Sequence, residues 1–396
     1  MTSQSQMNLD AVRNATPGTR KFIHFNNAGS SLPPLPVIEA VNQYNAEEFM
    51  RGGYETFELN KDSFHKTYNS VADLINCNPS ELALMENATS AWNAAFLSIN
   101  FEPGDIILAT ETDYASNYLA YLRLSERIPL EIKILPVEKS GEVSVGELKS
   151  MLSSKVKLVS VTHMPTNGGL VNPVEEIGAT LKNSSAFYLV DACQSAGQYP
   201  LDVKKIGCHF LSATGRKYLR APRGTGFLYA SKATLERTKP ITLDLHSAIW
   251  TSLDSYVMEP SAKRYENWEF NYSNIFGLKA AAEYAVELGL DNIWERVQKL
   301  GQTLRDELSR IDGIIVQDRG SVQSGIVTFT SDKVEYTKLK KKLAVKDIHV
   351  GITPKAAAFL DMENRGLSSM IRSSVHYYNS ETEIEKFIRV LHDLHS

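Results

Sequence analysis

The chain is poor in the features that mark several classes of protein. Its 396 residues contain three cysteines, Cys77, Cys193 and Cys208. Three cannot build a disulfide framework, and none shows the C-x-x-C spacing of a zinc ribbon or redox pair, so a reducing compartment and no structural metal are expected. No apolar run approaches the length that spans a bilayer, and the start, MTSQSQMNLDAVRNATPGTRK, lacks the apolar centre of a secretory leader; a cytoplasmic location with no membrane partner follows. There is no block of like charge. With 42 Lys and Arg against 46 Asp and Glu, a net charge of −4 exerts no long-range pull on nucleic acid. Internal repeats and low-complexity tracts are also missing. What remains, 43% hydrophobic and 22% charged, is material for a large core, and the length suggests two domains.

Short β-rich runs alternate with helical patterns from about residue 65 to 230. ELALME, DIILATE, EIKILPV, VKLVSVTH, AFYLVD, CHFLSAT and TGFLYA read as strands, several apolar throughout, as strands covered on both faces are. The pattern is α/β. Beyond about residue 262 the texture changes. NIWERVQKLGQTLRDELSRI puts Ile293, Trp294, Val297, Leu300, Leu304, Leu308 and Ile311 on one helical face, and the shorter strands GIIVQ, GIVTFT and MIRSSV follow. A closing helix begins at SETEIEKF, where Ser380 and Glu383 have the spacing of a capping box. A second, smaller α/β domain is expected.

Asp191 ends the apolar run FYLVD, and 26 residues later Lys217 stands in SATGRKYLRAPRGTG. That pairing suits pyridoxal 5′-phosphate, which needs a lysine amine to hold its aldehyde as a Schiff base and a carboxylate to keep its ring nitrogen protonated. Its phosphate needs donors, best supplied by a helix N-terminus reached straight from a strand. LALMENATSAWNAAF fits, with Ala88, Thr89 and Ser90 in the first turn, and Thr214 and Arg216 add a hydroxyl and a charge beside the lysine. Tyr114, after DIILATET, is the candidate to stack on the ring. Gln194 is placed to reach the ring hydroxyl, assisted by Thr166 or Asn167 in THMPTNGGLVNP, and His163 reads as a packed histidine.

HFNNAGSSLPP, ENATSAWN, THMPTNGGLVNP, VDACQSAG, SATGRKYLRAPRGTGFLY and IRSSVHYYNS occur in an order that resembles the class V aminotransferase family of fold-type I pyridoxal phosphate enzymes, from about residue 22 to 390. The group includes cysteine desulfurases, isopenicillin N epimerase and C–S lyases. The resemblance implies a large cofactor-binding domain, residues 45–262, with a mainly parallel seven-stranded sheet, and a smaller α/β domain from residues 1–44 and 263–396. It also implies a homodimer, an amino-acid substrate, and Arg372 as the residue that binds the substrate α-carboxylate, a role a bidentate guanidinium suits. Tyr54, with His246 and Trp250, is expected in the rest of the substrate pocket.

The chain departs from the family in ways that bear on the reaction. Desulfurases carry a nucleophilic cysteine on a loop before the carboxylate-binding arginine, whereas VGITPKAAAFLDMENRG holds alanines, so a persulfide-forming desulfurase is not expected. Family members commonly stack a histidine where Tyr114 stands and present an asparagine where Thr166 stands. RGGYE at residues 51–55, with RKYLRAPRGTG, most resembles hercynylcysteine sulfoxide lyase and related C–S lyases. The expected activity is β-elimination from an amino acid or S-substituted cysteine, with Lys217 moving the α-proton. Transamination and epimerisation use the same residues and remain open. A binding protein that has kept the fold without catalysis is disfavoured by the presence of both Lys217 and Asp191.

Overall fold

The computed structural model describes residues 7–395, so residues 1–6 and residue 396 lie outside the description. In chain order the first eight strands are β1 (Ile23–Phe25), β2 (Leu82–Met85), β3 (Ile106–Ala109), β4 (Glu131–Ile134), β5 (Val156–Thr162), β6 (Phe187–Asp191), β7 (Phe210–Thr214) and β8 (Gly226–Ala230). They are followed by β9 (Ala248–Ser252), β10 (Ser255–Met258), β11 (Ile314–Val316), β12 (Ile326–Ser331), β13 (Ile348–Pro354) and β14 (Ser369–Ser374).

The seven apolar runs expected as strands are β2 to β8. They form one sheet in the order β2-β8-β7-β6-β5-β3-β4. β7, β6, β5, β3 and β4 are parallel, and β8 is antiparallel to both its neighbours, β7 and β2. Every residue of β6, β7 and β8 is buried, because helices cover both faces, and this is why those runs show no polar alternation. Burying a Leu or Val side chain in such a strand stabilises the fold by about 2 kcal/mol.

A second sheet of five strands has the order β1-β13-β14-β12-β11. β1 pairs with β13 in parallel, so residues near the start of the chain complete a sheet built otherwise from its last third. The helix Leu290–Leu308 packs on this part through Val297, Leu300, Leu304 and Leu308, all buried. Trp294 departs from the expected face: it is half-exposed, with its ring 5.1 Å from that of Tyr199. The closing helix Glu381–His395 is capped as its sequence predicts, with Ser380 N donating to Glu383 Oε2 at 3.1 Å and Glu383 N to Ser380 Oγ at 3.3 Å. β9 and β10 form a separate antiparallel hairpin whose residues are mostly exposed. No helix among the described residues is long and apolar enough to cross a membrane.

Candidate active site

The parallel strands β5, β6 and β7 end side by side, and their last residues, Thr162, Asp191 and Thr214, all face one cavity of about 180 Å³. Open α/β sheets bind ligands at this edge, where loops leave the carboxyl ends of the strands and backbone groups are free to face a ligand. Lys217 follows β7 in the loop that returns as β8, and its side chain joins the cavity wall. The loop can lie this close because residue 197 is glycine. At φ 90°, a Cβ there would sit 2.4 Å from the Leu219 Cα, so a larger residue would displace the segment that carries the lysine.

The opposite end of the cavity is the start of the helix Ala88–Leu97, which leaves β2 through Asn87. Asn87 caps it, accepting from Ser90 N at 2.9 Å, while Ala88 and Thr89 present the first turn to the cavity. The initial amides of a helix have no partner within it and carry partial positive charge, which favours an anion. Thr214 and Arg216 complete this end, the Arg216 guanidinium also donating to the Gly29 carbonyl.

Asp191 is held from two sides. Asn117 donates from Nδ2 to Oδ2 at 3.0 Å and the Cys193 backbone N–H donates to Oδ1 at 2.9 Å, so both carboxylate oxygens are held in place. Lys217 is buried, and burial pulls its amine below the ordinary lysine value; Cys193 opposes the shift, while the Arg216 and Arg372 guanidiniums add to it. A neutral amine is the form that can accept a proton. Burial pushes the Cys193 thiol up, which keeps it protonated.

Arg372, in β14, reaches the cavity through Thr166, donating from Nη1 to its Oγ1 at 2.6 Å and its carbonyl at 3.0 Å. Its Nε is buried without a partner, an unused donor. Gly351 lies directly across the β13–β14 ladder, and a Cβ there would come within 3.3 Å of that Nε, so the glycine leaves room for the guanidinium. Burial pulls Arg372 down to about 10, still charged at neutral pH.

Of the residues singled out in the sequence, Ala88, Thr89, Tyr114, Thr166, Asp191, Gln194, Thr214, Arg216 and Lys217 line the cavity. Gln194 donates from Nε2 to the Ala28 carbonyl at 3.1 Å and to Thr166 Oγ1 at 3.3 Å, leaving Oε1 unpartnered. Ser90 is half-buried and outside the wall, its amide taken by Asn87. Asn167 stands behind Thr166 with its Nδ2 turned to Asp361. Tyr54, His246 and Trp250 are not brought to the cavity. Tyr54 is exposed in the helix Gly53–Ile75, His246 bonds Glu266 Oε2 at 2.7 Å, and Trp250 stands on the exposed hairpin. The sequence reading missed Asn117, Asn87 and Cys193. Asn87 was legible as the cap residue of ENATS; Asn117 lies 74 positions from the carboxylate it holds, and no local pattern announces it.

These residues fit pyridoxal 5′-phosphate on the structure's own terms. A helix N-terminus with flanking hydroxyl and guanidinium groups would take the phosphate, Asp191 would face the ring nitrogen, Tyr114 would offer a face, and Gln194 adds an unpartnered polar atom to the wall.

Comparison with known proteins agrees with that chemistry. The family model for aminotransferase class V matches residues 23–387. A probable cysteine desulfurase of Methanothermobacter thermautotrophicus is 29% identical over 397 residues, covering 98% of each chain, and one of Pyrococcus abyssi is 28% identical over 389 residues, covering 97% of this chain and 96% of the relative. Among solved structures, an apo cysteine desulfurase from Thermococcus onnurineus superposes with a TM-score of 0.92 at 27% identity over 100% of this chain and 99% of its own. A cystine C–S lyase in complex with cysteine persulfide shares the fold, with a TM-score of 0.86 at 22% identity over 96% of this chain and 99% of its own. A cavity that gathers Lys217, Asp191 and an anion-binding helix start at the strand ends is thus accounted for: the chain belongs to the class V aminotransferase family of fold-type I enzymes that work with pyridoxal 5′-phosphate.

Proposed function

We propose that the protein is a C–S lyase that cleaves the Cβ–S bond of cysteine or an S-substituted cysteine by β-elimination. One observation carries the choice: the segment between β13 and β14, residues 355–368, contains no cysteine, although the relatives it resembles are named cysteine desulfurases. The three thiols stand elsewhere, Cys77 just past the helix Gly53–Ile75, Cys208 buried before β7, and Cys193 in the cavity wall beside Asp191.

The cofactor supplies an electron sink for the charge released when a Cα–H bond breaks. Arg372 holds the substrate α-carboxylate in a bidentate pair, which fixes Cα over the cavity. Lys217 is the positioning and proton-moving group: its amine, pulled below the ordinary lysine value by burial, takes the Cα proton on Nζ. Asp191, braced by Asn117, would keep the ring nitrogen of the bound cofactor protonated. The leaving sulfur carries off the electron pair of the Cβ–S bond and leaves as a thiol once protonated; hydrolysis of the remaining fragment gives pyruvate and ammonium.

We also assign a homodimer. Phe49, Met50 and Tyr54 are each more than two-thirds exposed, as are Trp250 and Leu253 of the β9–β10 hairpin, and large apolar side chains of this kind are what a partner subunit covers. Sedimentation at micromolar protein should give twice the chain mass, and a fully active monomer would exclude the dimer.

The test of the reaction is the product set from cysteine, cystine, cysteine S-conjugates and their sulfoxides. Pyruvate with ammonium in equal amounts supports elimination. Alanine with sulfane sulfur carried on Cys193 would make the protein a sulfur-transferring desulfurase, and a keto acid formed only with an amino acceptor would make it an aminotransferase.

A further inference from the structure

A second cavity, about 490 Å³, opens on the far side of β5 from the active site. Thr162 ends β5 facing the cofactor cavity, and the next residue, His163, belongs to the wall of this one. The far wall is Trp294, on the helix Leu290–Leu308, with Ser321 and Val322 from the loop before β12, so the cavity lies along the seam between the two large sheets and their helices.

Four side chains in its wall carry carboxylates, Glu138, Glu142, Glu175 and Glu176, and none carries a cationic lysine or arginine. An acidic wall alone does not make a site, but two further features do. Glu142 is bonded on one oxygen only: Ser140 Oγ at 2.8 Å and Ser321 Oγ at 2.9 Å both donate to Oε1, while Oε2 is buried with no partner. His163 is 1% exposed, and its Nδ1 is also without a partner. A buried carboxylate oxygen and a buried imidazole nitrogen left unpaired in one cavity are costly unless a cation or a hydrogen-bond donor enters. Burial tends to raise the Glu142 carboxyl, but hydrogen bonds from its own backbone and from Ser140 and Ser321 outweigh this and leave it below its ordinary value, so it is ionised. Burial pulls His163 down to about 3, so the ring is neutral and has a lone pair to offer.

The aromatic groups complete the chemistry. Tyr199 meets His163 edge-on, with centroids 4.8 Å apart at 90°, and meets Trp294 at 5.1 Å and 71°. Rings set at such angles form a corner, and the electron-rich face of an indole or phenol attracts a cation within about 6 Å. Val143, Val171 and Val174 line the floor and favour an apolar body behind the charge.

We infer that this cavity binds a small organic cation, an ammonium or quaternary ammonium group on a short apolar body, held between the Glu142 carboxylate and the Tyr199–Trp294 corner. The site is separate from the catalytic one. It adjoins it through the backbone of His163, whose N–H donates to the Asp191 carbonyl at 3.0 Å.

The experiment uses the holoenzyme with choline and benzyltrimethylammonium as probes, and dimethylbutanol, the uncharged carbon isostere of choline, as control. Calorimetry should show saturable binding of both cations, with the Trp294 contribution to fluorescence quenched in parallel. Glu142→Gln and Trp294→Leu should each weaken binding by about tenfold, the range expected for one charge pair or one cation–π contact. Cofactor absorbance and the melting temperature of each variant verify that it is folded; if Trp294→Leu fails this check, Tyr199→Leu takes its place. The inference is overturned if neither cation binds saturably below about 10 mM, an affinity of about −2.7 kcal/mol, if dimethylbutanol binds as well as choline, or if the folded variants bind as the parent does.

Discussion

Arg372 in β14 donates from Nη1 to Thr166 Oγ1 at 2.6 Å, and this contact ties the five-stranded sheet to the loop that follows β5 in the seven-stranded one. The guanidinium is thereby aimed before a substrate arrives, with Nε still unused. Arg372→Lys keeps a charge but loses the planar fork, and should lower kcat/KM by roughly 30- to 100-fold, about 2–3 kcal/mol, mostly through KM. Thr166→Val should have a smaller effect, near tenfold or about 1.4 kcal/mol, by releasing the aim and not the charge. Steady-state kinetics on the best substrate checks both, and an unchanged KM in Arg372→Lys would remove Arg372 from carboxylate binding.

Lys217→Ala should retain cofactor through the contacts at the helix Ala88–Leu97 and lose turnover by about 10³-fold or more, as expected when a positioned base is removed. Two readings do not depend on activity. Borohydride should add the reduced cofactor's mass to Lys217 in the parent and not in the variant, and the visible absorbance band should change on substitution. Because burial lowers the Lys217 amine, the acid limb of the kcat profile should lie below the ordinary lysine value of 10.5, with activity gained as pH rises through it. A limb at or above that value would mean that another group takes the proton.

Much of the large sheet was legible because β5 to β8 are covered on both faces, and a run such as FYLVD needs no alternation to read as a strand. Asp191 was legible because a charged residue ending an apolar strand is conspicuous, and Lys217 because it stands in an Arg-, Pro- and Gly-rich loop 26 residues later. β13, IHVGITP, was not: its glycine and proline read as a loop, yet the glycine is there to leave room for Arg372 on the next strand. β1 was hidden because its three residues gain their partner, β13, from more than 300 positions away. Tyr54 misled because an aromatic beside RGG looks like a binding residue, while in the chain it is an exposed position near the start of a helix.

Asp361 lies within the segment between β13 and β14, and it is a junction. It is 1% exposed, accepts from Asn167 Nδ2, and pairs with Arg319 and with Arg365 at 3.2 Å; Arg319 also pairs with Glu111 at 2.6 Å. The cluster fixes the helix Phe359–Asn364 over the loop that carries Thr166. Asp361→Ala leaves two guanidiniums facing a hole and should cost about 3 kcal/mol of stability, whereas Asp361→Asn, which keeps an acceptor, should cost about half of that. Urea denaturation would measure both. Equal effects would show that shape, not charge, is what Asp361 contributes.

Acid should destabilise the protein well before its carboxylates titrate. Burial pulls His24 and His209 down to about 4 and His163 to about 3, all from an ordinary value of 6.5. A histidine held neutral in the fold contributes stability that is present above 6.5 and is lost as pH falls towards the folded value, because the unfolded chain binds protons the native one refuses. Asp113 acts in the opposite sense. Burial raises its carboxyl from 3.8 to about 7, against hydrogen bonds from Thr110, Tyr121 and Thr162, so its contribution is present below 3.8 and lost as pH rises to about 7. His246 does not enter this window, since its bond to Glu266 raises it above 6.5. His376, which burial also pulls well below 6.5, joins these three, and together they outweigh the one aspartate, so unfolding takes up protons near pH 5 and stability falls with acid. The melting temperature should therefore fall steeply between pH 6.5 and 4.5, and His209→Gln, at the most accessible of the three, should flatten the decline. A melting temperature that is constant or rises on acidification across that range would show that these histidines are protonated in the native protein, and their burial would then need buried anions to answer it.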